Sequence, residues 1–351
     1  MFTQVGSIYC GDAMPLESAQ SLVTALKAAA EPTRLRILAL LRSGPLTVKD
    51  LTRILGQSQP RLSRHLKLLN EAGLIDRAPE GSWVYFHLAD RAARDGVAAR
   101  LLGCLDPVDA VLTRDRQRFD GVKRDREATA QAYFANHAAD WDKIRSLHVD
   151  ERDVEAAIVA AVSNRKVELL VDLGTGTGRV LELLAATYER GIGFDLSPAM
   201  LSYARSKLDR AGVPQAQVRQ GDILDVPLVD GTAGIVVMHQ ILHFLPDPQR
   251  ALQEAVRILA PGGILLVIDF APHGLEFVRD AYAHERLGFA DVQMRQWLED
   301  CGLGRVSSTH LAPRAGDHPD TTPEKLTVSL WHATAAVDAT AKAEPMLERV
   351  S

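Results

Sequence analysis

Hydrophobic residues recur at helical spacing along the first part of the chain. The spacing predicts two consecutive helices over residues 25–41, divided at Pro32, and a short helix that Thr47 caps and Gly56 ends. A tight turn leads to a longer helix that begins at Ser58. Two short helices joined by a turn at glycine form a helix-turn-helix, in which the second helix enters the major groove of DNA.

The longer helix has an apolar side and a polar side. Leu62, Leu66 and Leu69 form its predicted buried stripe, whereas polar and basic side chains follow the opposite face. The first turns of such a helix meet the base edges of DNA. The residues predicted to contact DNA from this helix are Ser58, Gln59, Arg61, Ser63, Arg64, His65 and Lys67.

Alternating hydrophobicity replaces the helical spacing after this helix. Residues on either side of Pro79, Glu80 and Gly81 alternate between apolar and polar, which predicts a β-hairpin. A hairpin that follows a helix-turn-helix forms the wing of a winged helix, and Arg77 is placed to reach a flanking phosphate. We therefore predict a winged helix over residues 20–90.

A later region has the pattern of a doubly wound parallel sheet. The apolar run VELLVDL ends in a glycine loop, Gly174 to Gly178, and an amphipathic helix follows. The loop has the spacing GxGxG and follows Asp172, unlike the GxGxxG of dinucleotide sites. An acidic residue beside the loop suits a ligand ammonium group better than a pyrophosphate, and S-adenosylmethionine carries an ammonium group.

Further residues fall where such a cofactor needs them. Asp195 ends the next predicted strand, where a carboxylate can accept hydrogen bonds from both ribose hydroxyls. Asp222 and Ile223 are placed to bond to and flank the adenine, and Met200 to cover its other face. The predicted cofactor-binding residues are Asp172, Gly174, Thr175, Gly176, Gly178, Asp195, Leu196, Met200, Asp222, Ile223, Met238 and His239.

Charge separates the two regions. The 351-residue chain has a net charge of −5, yet residues 20–89 hold ten Lys or Arg against five Asp or Glu, which makes that segment +5 and the remainder −10. A basic module on an acidic body is expected when only one part contacts phosphates. No stretch approaches the roughly eighteen consecutive apolar residues of a membrane span, and the N-terminus lacks the pattern of a secretory signal, so we expect a cytoplasmic protein without a membrane partner.

The three cysteines offer little chemistry. Cys10, Cys104 and Cys301 are far apart and have no CxC or CxxC spacing, which argues against a disulfide framework and against a thiolate metal cluster within one segment. We expect reduced, isolated thiols and no bound metal.

Both regions resemble known families. The segments that resemble an ArsR/SmtB-type winged-helix repressor are AAAEPTRLRILALL, LTVKDLTRILGQSQPRLSRHLKLLNEAGLIDR and GSWVYFHL. Members of that family typically bind DNA as dimers. Its metal-sensing forms often carry cysteines where this chain has Val48 and Lys49, and this departure argues against a metal-sensing role.

The later region is similar to class I S-adenosylmethionine-dependent methyltransferases, close to the ubiquinone/menaquinone-biosynthesis branch. The resemblance implies a Rossmann-like sheet with helices on both faces, so the expected fold is α/β overall, with an α+β winged helix-turn-helix at the N-terminus. The expected parts are an N-terminal extension over 1–19, the winged helix over 20–90, a helical linker over 91–129, the methyltransferase domain over 130–334 and a flexible tail over 335–351.

Several side chains keep alternative interpretations. Tyr133, Phe134 and Trp141 are clustered, and core packing is favoured over direct ligand contact. His239 and His273 are the candidate proton acceptors, provided that they face the pocket. His243 is interpreted as a packing or capping residue, because the resembled family commonly carries histidine there.

The combination predicts a DNA-binding transcriptional regulator, expected to form a homodimer on double-stranded operator DNA. Its methyltransferase-fold domain is expected to bind S-adenosylmethionine or S-adenosylhomocysteine as effector. One alternative is an active methyltransferase that acts on a small molecule. A second is a metal-responsive repressor in which Cys10 and Cys104 pair across a dimer. Arsenite methylation is not expected, because it needs a cluster of acceptor-binding cysteines.

Overall fold

The chain forms two compact units, residues 1–124 and residues 125–351. The computed structural model describes residues 18–80, 83–89, 96–137, 151–312 and 326–336. No helix within these described ranges is both long enough and apolar enough to cross a membrane.

The first unit packs helices around a small antiparallel sheet with the strand order β1, β3, β2. The predicted helix-turn-helix is the pair α3 and α4, and the predicted wing is the pair β2 and β3. In chain order the elements are α1 (Ala19–Ala29), α2 (Pro32–Leu41), β1 (Leu46–Thr47), α3 (Val48–Leu55), α4 (Gln59–Glu71), β2 (Ile75–Glu80), β3 (Trp83–Leu88), α5 (Val97–Gly103) and the first part of α6 (Ala110–His137).

Capping residues determine where α3 begins and ends. The hydroxyl of Thr47 accepts the N–H of Asp50 at 3.2 Å, and the Asp50 carboxylate accepts the N–H of Thr47 at 2.9 Å. This reciprocal pair satisfies two donors that a helix N-terminus leaves without intrahelical partners. Gly56 ends α3 in the left-handed region at φ +66°. Both predicted ends are therefore confirmed, whereas Ser58 precedes α4 without a side-chain capping hydrogen bond.

The sheet differs from the prediction in two places. Leu46 and Thr47 form an additional strand, which pairs with β3. Pro79 and Glu80, which we expected in the turn, continue β2 and pair with Val84 and Trp83. Proline is tolerated there because β2 is an edge strand, in which alternate N–H groups face away from the sheet.

The predicted linker is helical, but much of it belongs to the first core. Ala98, Leu102 and Val122 are buried in the same cluster as the helix-turn-helix leucines. The guanidinium of Arg36 on α2 donates to both carboxylate oxygens of Asp115 on α6, at 2.6 and 2.7 Å. The boundary between the units therefore falls within α6, at residue 124, rather than at a separate linker.

The second unit is a seven-stranded sheet in the order β6, β5, β4, β7, β8, β10, β9. The strands β4 to β8 pair in parallel, and β10 runs antiparallel to both of its neighbours. The elements after α6 are α7 (Glu151–Val162), β4 (Val167–Leu173), α8 (Arg179–Leu183), β5 (Tyr188–Asp195), α9 (Pro198–Arg210), β6 (Ala216–Gln220), β7 (Ala233–His239), a 3-10 turn (Leu242–Phe244), α10 (Pro248–Ile258), β8 (Leu259–Phe270), α11 (Phe277–Tyr282), α12 (Asp291–Asp300), β9 (Leu303–Leu311) and β10 (Val328–Ala335).

Both faces of this sheet are buried. Val236 and Met238 of β7 belong to one hydrophobic cluster, and Ile235 and Val237 belong to the other. Helices cover each face, because α10 and α12 contribute to the first cluster and α7 and α9 to the second. The predicted Rossmann-like sheet is confirmed, and its strand order reverses direction between β4 and β7, where ligands of such folds bind.

Two leucines on α4 allow a matched test of this packing. Leu66 is 1% exposed and Leu68 is 40% exposed. We expect Leu66→Ala to lower the free energy of the unfolding that exposes the α4 amides by about 2 to 5 kcal/mol, because it removes buried methyl groups and leaves a cavity. Leu68→Ala should change it by about 0.5 kcal/mol or less. Hydrogen exchange of the α4 amides measures both, and equal effects would contradict the assignment of the buried stripe.

Candidate functional site

The glycine loop after β4 brings the backbone to the carboxyl edge of the sheet. Gly174 and Gly176 have φ values of +77° and +52°, which favour glycine. A Cβ on Gly174 would lie 2.5 to 2.9 Å from side-chain atoms of Ile241, so the loop leaves no room for a side chain there. The Thr175 hydroxyl donates to the buried carboxylate of Asp172 at 2.6 Å.

Asp195 lies beside this loop at the end of β5. Its carboxylate accepts the N–H of Gly176 at 2.9 Å and the N–H of Ser197 at 2.8 Å. Burial raises the pKa of Asp195, and the backbone hydrogen bonds oppose that shift. Since a carboxylate offers about four acceptor positions, these backbone contacts leave acceptor capacity for a donor on a ligand.

A buried carboxylate also shapes the loop after β7. Asp269 accepts the N–H groups of Leu242 and His243 at 3.0 and 3.3 Å. Its other oxygen lies 2.8 Å from Nδ1 of His243. His243 is 2% exposed and lies against Phe244 and Phe270, which agrees with the packing role predicted for it.

A pocket joins these three segments at the point where the strand order reverses. Ten of the predicted cofactor-binding residues line it, namely Asp172, Gly174, Thr175, Gly176, Asp195, Leu196, Met200, Asp222, Ile223 and His239. Sequence reasoning did not identify the other lining residues as site residues, and these are Phe134, Arg179, Val180, Leu224, Gln240, Ile241, Phe244, Leu245 and Pro246. Most of them follow β7, where the sequence pattern predicted a helix but not the path of the preceding loop.

Three predicted residues lie outside the lining. Met238 is fully buried in the core, because neighbouring residues of a strand point to opposite faces. Gly178 instead caps α8, where a Cβ would approach that of Ala204 to 3.2 Å. His273 is also absent from the lining, and its Nδ1 accepts the N–H of Leu275 at 3.3 Å, so His239 is the candidate proton acceptor that lines the pocket.

The last turns of α6 reach this pocket. Phe134 lines it and packs edge-on against Phe244, with ring centroids 4.8 Å apart. Tyr133 lies against Tyr282 instead, and burial raises the pKa of Tyr133 to about 12. Of the predicted aromatic group, one member therefore lines the pocket and one packs against α11, while Trp141 lies outside the described residues.

The polar face of α4 is largely exposed, as expected for a DNA-contacting helix. Lys67 forms an ion pair with Glu71 at 3.8 Å. Arg77 on β2 is also exposed. The exposed residues of this face and its cap are Ser58, Gln59, Arg61, Ser63, Arg64 and Lys67.

His65 does not belong to that exposed face. Its side chain is 13% exposed, and Nδ1 lies 3.6 Å from the carboxylate of Glu31. Burial lowers the pKa of His65, and the Glu31 carboxylate opposes this shift. The spacing already contained the signal, because Leu62, His65, Leu66 and Leu69 follow the i, i+3, i+4, i+7 pattern of a buried stripe.

No metal site is evident in the part of the chain that the structure describes, where no three His, Cys, Asp or Glu side chains are grouped to hold an ion. Cys104 is exposed. Cys10 lies outside the described residues, so its pairing with Cys104 across a dimer stays a prediction.

Two family models match the two units separately. Residues 31–77 match the model described as bacterial regulatory protein, arsR family, and residues 171–267 match that of a methyltransferase domain. The chain joins an ArsR-family helix-turn-helix domain to a class I methyltransferase domain.

Relatives of the methyltransferase domain are diverse. A trans-aconitate 2-methyltransferase of Variovorax paradoxus is 29% identical over 55% of this chain and 71% of its own. A demethylmenaquinone methyltransferase of Deinococcus radiodurans is 35% identical over 43% of this chain and 64% of its own. Apart from the Variovorax protein, the chain spans between 27% and 64% of the length of the curated relatives compared with it. A solved methyltransferase, in complex with a methyltransferase activator of Haloferax volcanii, has a TM-score of 0.48 and 26% identity over 58% of this chain and 97% of that chain.

The contact between Gly174 and Ile241 can be tested with a matched glycine. Gly174 and Gly212 both have left-handed backbones, but a Cβ on Gly212 meets nothing within 4 Å. Alanine at either position should cost about 1 to 2 kcal/mol of stability for the backbone strain. Gly174→Ala should cost measurably more, because Ile241 must also move. Thermal denaturation of both variants measures the difference, and equal losses would contradict the close approach.

Proposed function

We propose that the protein is a DNA-binding transcriptional regulator whose methyltransferase domain binds S-adenosylmethionine or S-adenosylhomocysteine as an effector. The observation that carries the proposal is the pocket at Asp195, in a chain that also has an ArsR-family helix with exposed Arg61 and Arg64. The winged helix acts as a homodimer on double-stranded operator DNA, as its resemblance to ArsR/SmtB-type repressors implies.

The pocket residues suit an S-adenosyl nucleoside. Asp195 has acceptor positions for the ribose hydroxyls, and Ile223 and Met200 offer apolar contacts to the adenine. The carboxylates in the lining favour the ligand ammonium group. When bound, S-adenosylmethionine supplies an electrophilic methyl group that S-adenosylhomocysteine lacks.

The proposed coupling between effector and DNA uses α6, which contributes residues to both units. Within the first unit, Asp115 binds Arg36, and Arg118 donates to the carbonyl oxygen of Ile54 at the end of α3 at 3.0 Å. Within the second unit, Phe134 of the same helix lines the pocket. A ligand that displaces Phe134 therefore acts on a helix that holds the helix-turn-helix.

A second candidate function is methyl transfer to a small molecule. It is favoured by His239, which lines the pocket, and by the relatives, which are named as methyltransferases. Methyl transfer depends mainly on in-line positioning, so a single pocket histidine is compatible with it. Conversion of S-adenosylmethionine to S-adenosylhomocysteine in the presence of cell extract, and its loss in the Asp195→Ala variant, would support this function.

The effector role is tested by DNA binding. A duplex selected by the protein from a random library serves as the operator in fluorescence anisotropy at fixed salt. We expect one or both nucleosides to change the Kd about five- to 150-fold, the range of typical allosteric coupling. Asp195→Ala should abolish the change, whereas Asp209→Ala, which alters an exposed carboxylate on α9, should retain it. An unchanged Kd in the unaltered protein, with nucleoside binding shown by calorimetry, would contradict an effector role.

The DNA-contacting face is tested by single alanine variants. We expect Arg61→Ala and Arg64→Ala to weaken binding to the selected duplex by about 1 to 3 kcal/mol each, and to weaken binding to a scrambled duplex less, because their guanidinium groups contact base edges. Arg100→Ala, which removes an exposed arginine on α5, is the matched control. Equal losses on both duplexes would show phosphate contacts instead.

A further inference from the structure

Gln240 is held in an unusual conformation in the lining of the pocket. It follows β7 with a φ of +51°, in the left-handed region that non-glycine residues seldom adopt. The residue is 8% exposed and lines the pocket. Among the described residues, no side chain or backbone group forms a hydrogen bond with its carboxamide. The carboxamide is therefore available to a ligand, and an amide that a bound ligand covers needs a hydrogen-bond partner on that ligand.

The surrounding structure enforces this conformation. The N–H of Gln240 donates to the carbonyl oxygen of Ile268 at 2.7 Å, and the buried Asp269 carboxylate accepts the N–H groups of Leu242 and His243. Backbone strain of this kind persists only where neighbouring contacts determine it, and it clusters at ligand sites. The loop therefore holds a polar residue in the pocket lining, where Ile241, Leu245 and Pro246 of the same loop are apolar.

The part of the pocket around Gln240 is apolar and aromatic. Phe134 and Phe244 meet edge to face, and Ile241, Leu245 and Pro246 complete this side. These five residues are additional to those assigned above to the ribose, adenine and ammonium groups of the nucleoside. Their side chains favour a ring-bearing ligand body, since aromatic rings bind one another in offset or edge-on arrangements.

The charges of the lining disfavour an anionic second ligand. Arg179 is the cation among the lining residues that the structure describes, and Glu155 and Glu182 already bind it at 2.6 to 2.9 Å. These ion pairs raise the pKa of the Arg179 guanidinium. The other charged lining residues are the carboxylates Asp172, Asp195 and Asp222, which repel an anion.

We propose that the pocket takes a second ligand beside the S-adenosyl nucleoside, a neutral molecule with an apolar, ring-bearing body and one polar group that hydrogen-bonds to Gln240. The inference rests on the proposed function in that both ligands share one pocket. Such a ligand is the methyl acceptor if the domain transfers methyl groups, and a second effector if it does not. Gln240 is then the residue that determines specificity for the polar group.

Two neutral fluorescent probes test the inference. N-phenyl-1-naphthylamine has an N–H donor, and 1-phenylnaphthalene is a similar hydrocarbon without one. With saturating S-adenosylhomocysteine, we expect one amine molecule to bind per chain, with an affinity about five-fold above that of the hydrocarbon, as for one net hydrogen bond. Gln240→Leu should remove this preference and leave hydrocarbon binding unchanged. Phe134→Ala should weaken both probes, and millimolar citrate, a tricarboxylate, should displace neither.

Two further variants keep the test decisive. Gln240→Gly removes the carboxamide while accommodating the left-handed backbone, so it should lose the preference even if Gln240→Leu folds poorly. Gln296→Leu, which alters an exposed glutamine on α12, should retain it. A preference that survives in Gln240→Gly, displacement by citrate, or the absence of saturable probe binding would overturn the inference. Probe titrations are repeated without nucleoside, so a failure to bind S-adenosylhomocysteine in calorimetry would count against the proposed function alone.

Discussion

Burial of apolar side chains on both faces of the seven-stranded sheet is the constraint on which the pocket depends. Adjacent residues of β7 enter opposite clusters, so a shift of one residue would exchange the two faces of the strand. That register fixes where each strand ends. Consequently Asp172, Asp195 and His239, which are distant in sequence, meet at one edge. The chemistry of the site is set by the strand ends rather than by any single loop.

Local signals in the sequence were sufficient to predict most helices and strands, but not all of the contacts that these elements make. Thr47 and Asp50 cap α3 through contacts between near neighbours, and left-handed glycines were identifiable from their spacing. The short strand β1 was not predicted, because two residues are too few to show an alternation of apolar and polar positions. Their pairing with β3 is also a long-range contact. His65 lies off the exposed face because its position in the helical period, beside Leu62, Leu66 and Leu69, outweighs its polar residue type.

The site was predicted best at two kinds of position: a left-handed backbone that favours glycine, and a strand end where the ligand needs a carboxylate. Gly174 is of the first kind and Asp195 is of the second. Gln240 and Leu245 were missed because nothing near them in sequence reveals the loop path, which depends on Asp269 in a strand that is about thirty residues away. Met238 was predicted to bind the cofactor but is buried in the core. A residue at a strand end can point into the core as readily as into the pocket.

The anchoring of the loop by Asp269 has an evolutionary consequence. The carboxylate binds backbone N–H groups of Leu242 and His243, so the path of the loop does not depend on which side chains project from Gln240, Ile241 or Leu245. These positions can diverge while the scaffold is inherited unchanged. A lineage that carries this domain can therefore acquire recognition of new small molecules through a few substitutions, without rebuilding the nucleoside site beside them.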